Sequence, residues 1–77
     1  MEFTEQRAAV LLELHTMIKA YRVMQDLVDT GKASMIFSEA CEQLGFAAIA
    51  FRSDYMITAE EEKQFSKAIK RGEYGNH

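Results

Sequence analysis

Apolar residues recur at helical spacing through the first third of the chain. Val10, Leu14, Met17, Tyr21, Met24 and Val28 alternate between gaps of four and three, and Leu11, Ile18 and Leu27 widen the stripe to one side. Glu13, Lys19, Arg22, Gln25 and Asp26 lie mostly off it. This spacing predicts an amphipathic helix. Thr4 suits its N-cap, because a hydroxyl there accepts from an orphan backbone N–H, and Glu5 complements the positive end of the dipole. Gly31 suits its end, because glycine enters the left-handed region without a Cβ clash. A helix over about 5–30 is about 38 Å long at 1.5 Å per residue.

Phe37, Ala40, Cys41 and Leu44 share one face at i, i+3, i+4 and i+7. They predict a second helix over about 35–44, capped by Ser34 and stopped by Gly45, with Phe46 folding back on Cys41. Residues 46–57 read two ways. Ala47, Ala50, Phe51 and Tyr55 form a helical face, whereas Ala47, Ile49 and Phe51 form a strand face; the alanines favour a short helix over about 47–54. "TAEE" at 58–61 is a capping box, with Thr58 as N-cap and Glu61 reaching back to the Thr58 N–H. It predicts a last helix over about 59–71, acidic at its start and basic at its end, closed by Gly72. The apolar face of that helix is thin: Phe65, Ala68 and Ile69. Residues 73–77 are expected to fray. With no proline and no hairpin turn dipeptide, the expectation is a single all-α domain over 1–77, one long N-terminal helix backed by two or three short ones.

Size sharpens that picture. At 77 residues, a chain buries only about 60% of the surface its unfolded form exposes, and small scaffolds usually need a disulfide, a metal or a second subunit. A lone Cys41 excludes an internal disulfide. Six large stripe residues represent about 9–18 kcal/mol of burial, more than a thin last helix can cover. A helical homodimer is therefore expected, with Val10, Leu14, Met17, Tyr21, Met24 and Val28 as its seam.

Charge and chemistry remove more classes than they add. A net charge of −3 disfavours non-specific nucleic-acid binding, which needs clustered cations. "MEFTEQR" has neither a basic n-region nor an apolar h-region, no apolar run reaches about 18 residues, and one thiol suits a reducing compartment. Neither a signal peptide nor a membrane span is expected, and the expected location is cytoplasmic. Cys41 and His15 are the one thiol–imidazole pair to weigh. Cys41 lies on an apolar face, where burial makes a thiol a poor nucleophile, so no enzyme is expected. The two histidines stand far apart in the chain beside that one cysteine, too few ligands for structural zinc, and neither metal nor cofactor is expected.

"ACEQLGFAAIAFRS" has the outline of a helix-turn-helix, and a small DNA-binding regulator is the alternative reading. Its second helix would present Ala47, Ala48 and Ile49, which cannot read base edges by hydrogen bonds. Aromatic, methionine and arginine side chains are instead typical anchors of protein interfaces, and Phe51, Arg52, Tyr55 and Met56 form the candidate partner-binding patch. The expected function is a non-enzymatic regulator, adaptor or inhibitor that docks this surface on a larger protein. By analogy alone, such chains include phage-encoded inhibitors of host machinery.

Overall fold

The computed structural model describes residues 3–73, and these form three helices: α1 (Glu5–Asp29), α2 (Met35–Asp54) and α3 (Ala59–Lys70). No strand occurs among the described residues, so the all-α expectation holds, with a long N-terminal helix packed against the others. Residues 74–77 of the expected frayed tail lie outside the described residues.

The ends of α1 follow the sequence. Thr4 Oγ1 accepts from the Arg7 N–H at 3.1 Å, and Gly31 sits in the left-handed region at φ 74°, donating its N–H to Val28 O. α2 departs from it. Gly45 does not end a helix; residues 35–54 form one uninterrupted element, and the expected break between 44 and 47 is absent. The cause is tertiary. A Cβ on Gly45 would lie 2.8 Å from Tyr21 Cε1, so glycine here allows α1 and α2 to approach closely rather than letting the chain turn. Phe46 does not fold back on Cys41; it stands 56% exposed.

α2 ends in a Schellman turn built without glycine. Met56, at φ 53°, donates to Ser53 O, and Ile57 donates to Arg52 O at 2.9 Å. Ile57 is buried and supplies the apolar contact that accompanies such turns. α3 starts at Thr58, whose Oγ1 accepts from the Glu61 N–H at 3.1 Å. The other half of the expected capping box is subordinate, because both Glu61 oxygens go to Arg7 at 2.7 Å.

α2 runs antiparallel along α1. α3 packs over the N-terminal half of α1, where Arg7 meets Glu61 and the Phe3 ring meets the Phe65 ring edge-on at 5.4 Å. The core is assembled there from Leu11, Leu14, Ala48, Ile57 and Phe65, with Ala8 at its margin. Twelve residues of α3 span about 18 Å, so the C-terminal half of α1 has α2 as its main neighbour. The expectation of two or three short helices behind α1 is corrected to one long α2 and one short α3.

Candidate interaction surfaces

The expected dimer stripe is divided by its own chain. Leu14 is only 1% exposed, enclosed by the core around Phe65, while Val10, Met17, Tyr21, Met24 and Val28 are half-buried. The α1 face expected to meet a second copy is largely the face that meets α2: Tyr21 lies against Gly45, and the Cys41 sulfur sits 3.6 Å from Gln25 Oε1.

The candidate patch at the end of α2 is held from several sides. Arg52 forms a bidentate pair with Glu62, Nε to Oε2 at 2.8 Å and Nη2 to Oε1 at 3.0 Å, which fixes the start of α3 to the end of α2. Phe51 packs partly into the core and lies 4.7 Å from the Tyr55 ring, centre to centre. Arg7 reaches across from α1 and donates to Tyr55 O at 2.9 Å. On this braced turn Tyr55 is exposed and Met56 stands 82% exposed. Sequence reasoning placed these four residues together; it could not show that two of them, Phe51 and Arg52, are engaged within the chain while Tyr55 and Met56 face outward.

Arg7 also sets the electrostatics of this end. Its hydrogen bonds hold the Glu61 carboxyl below the usual range, against a desolvation effect that pushes it up; the charge of Arg7 and the Thr58 N–H add smaller downward pulls. Arg7 is raised in turn by its bond to Glu61.

Two of the concave regions that flank α1 bear on function. One, about 470 Å³, lies between α1 and α2 beyond the start of α3, with Ile18, Tyr21, Phe46 and Ile49 as its apolar lining and Arg22 and Glu42 on its rim. The other, about 110 Å³, brings His15, Ser66 and Glu62 into one lining. No hydrogen bond joins His15 to Ser66 or Glu62, and Glu62 is committed to Arg52. Cys41 is buried against Tyr21 and Gln25. Among the described residues, no group of three or more His, Cys, Asp or Glu is placed to hold a metal ion, and no helix is long and apolar enough to cross a membrane. The helix-turn-helix outline fails on geometry, since residues 41–52 are all inside α2.

The chain matches no family model, no curated protein and no solved structure.

Proposed function

We propose that the protein is a cytoplasmic, non-enzymatic interaction module whose partner is a larger protein, engaged through the α2–α3 turn. Met56 carries this reading. Its φ of 53° is a conformation that costs an ordinary L-residue roughly 1–2 kcal/mol, and glycine would relieve it. A large apolar side chain kept there, almost fully exposed beside Tyr55, contributes little to the fold. Strain combined with exposure points to a contact made outside the chain. Asp54 and Glu60 flank the turn, so the complementary surface is an apolar pocket with a basic rim.

Met56→Gly separates the two roles. It should raise stability by about 1 kcal/mol, measured by urea denaturation, because it removes the left-handed penalty. It should also abolish capture of a stoichiometric partner that the native chain retains from lysate. A partner held equally well by the glycine variant would refute the reading. Binding to duplex DNA that weakens steeply with added salt would favour the nucleic-acid alternative instead.

A further inference from the structure

A second stripe runs along the outer face of α1, and Leu27, expected to widen the first stripe beside Leu11 and Ile18, belongs to this one instead. Thr16, Ala20, Val23, Leu27 and Thr30 stand four, three, four and three residues apart, and no charged residue interrupts them. All five are exposed, Val23 at 60% and Leu27 at 44%. The two threonines offer no free hydroxyl donor to solvent: Thr16 Oγ1 donates to Leu12 O at 2.9 Å and Thr30 Oγ1 to Leu27 O at 2.8 Å. What this face presents is therefore chiefly methyl and methylene groups at coiled-coil spacing.

The flanks of the stripe supply the second observation. Lys19 and Asp26 border it on the same side, one residue before Ala20 and one before Leu27. Both are exposed, and among the described residues neither is in an ion pair within the chain. We propose that this face is a two-fold, antiparallel interface between two copies of the chain, in which Lys19 of each copy meets Asp26 of the partner subunit.

The register is consistent with itself. Pairing Lys19 with Asp26 puts the two-fold axis between Arg22 and Val23. Pairing Ala20 with Val23, or Thr16 with Leu27, puts it between Tyr21 and Arg22, within one residue. The two axes differ by one residue, a slide of about 3 Å between the helices that the long Lys19 side chain spans, so a single self-complementary arrangement holds the apolar contacts and the charges. Ala20 opposite Val23 lets the helices approach closely. A parallel pairing leaves Lys19 and Asp26 about 10 Å apart along the axis. The stripe is about 21 Å long, which places the contact at the small, concentration-dependent end of specific interfaces.

Sedimentation equilibrium from about 10 μM to about 1 mM, the range in which so small a contact should assemble, tests this. The weight-average mass should rise from 8.8 kDa toward twice that value. Val23→Lys should weaken association at least tenfold with an unchanged far-ultraviolet spectrum, since Val23 is outside the core. Lys19→Asp and Asp26→Lys should each weaken it, and the double exchange should restore it. A mass fixed at 8.8 kDa at the highest concentration overturns the proposal. So does a dimer indifferent to Val23→Lys but lost in Phe46→Lys, or a double exchange that fails to recover. The turn at Met56 is a separate surface, so failure here leaves the partner-binding reading to its own test.

Discussion

Replacing Gly45 by alanine tests the central packing feature of the fold. In a solvent-exposed helix interior this change stabilises by about 1 kcal/mol, because alanine is the better helix former. Here the new methyl would lie 2.8 Å from Tyr21 Cε1 and 3.4 Å from the Cδ1 and Cζ atoms of the same ring. Carbon atoms prefer about 3.5–4.0 Å. The ring is half-buried between α1 and α2, so displacing it gives up part of its packing against α2. Overpacking of this kind costs typically 1–3 kcal/mol. The two effects oppose each other, and the net result should be a loss of about 1 kcal/mol.

The sign of the effect should depend on Tyr21. Once Tyr21→Ala has removed the ring, Gly45→Ala should become stabilising by about 1 kcal/mol, which makes the coupling between the two sites about 1–3 kcal/mol. Urea denaturation of the four proteins in this cycle measures it directly. A glycine ending a helix at positive φ would also resist alanine, but that penalty would be the same with or without the Tyr21 ring. Gly45→Ala stabilising the native background, or destabilising equally in both, would refute the close-approach explanation.

Glu61→Gln should lower stability by about 1 kcal/mol at neutral pH, a discounted figure because the pair is partly solvated. The folded-state pKa of Glu61 is lowered, so its contribution is complete above the unfolded value near 4.3 and is lost as pH falls through the lower folded value. Thermal melts at pH 7 and pH 3 should show the difference between the two proteins shrinking; a difference that grew in acid would contradict the assigned cause. Phe65→Ala empties the centre of the core and should cost about 3–5 kcal/mol, a large part of the stability of so small a domain, seen as a steep fall in Tm. A fall equivalent to less than 1 kcal/mol would mean that α3 is not needed to hold α1.

What could be read in the sequence was local. Thr4, Ser34 and Thr58 each accept from the backbone N–H three residues on, and Gly31 and Gly72 each adopt positive φ. These devices act within one turn of chain, so nearest-neighbour chemistry identifies them. Gly45 was misread because its reason for being glycine lies on another helix, at Tyr21. The end of the helix at Asp54 agrees with the expected boundary, but the device behind it was not legible, because Met56 holds the left-handed position that glycine usually takes. The Arg7–Glu61 bond joins residues far apart in the chain, and its effect was hidden by the local expectation that Glu61 would turn back on Thr58.

The same distinction explains why α1 invites more than one reading as an interface. A helix with one apolar stripe has one buried side; α1 has a stripe through Leu14 and Tyr21 and another through Ala20, Val23 and Leu27. The sequence pattern assigns the first to a second copy, because the thin apolar face of the last helix is too small to cover it. The structure gives that face to α2, and a 12-residue α3 covers part of the flank. The second stripe is poorer in volume, but its exposed side chains require no polar partner, which a merely solvated face has no reason to arrange. Burial inside a monomer selects for the larger stripe. Reversible association selects for one that stays dissolved when alone, with opposite charges such as Lys19 and Asp26 set beside it. On this argument the small outer face, rather than the large inner one, is the side of α1 proposed to meet a second copy.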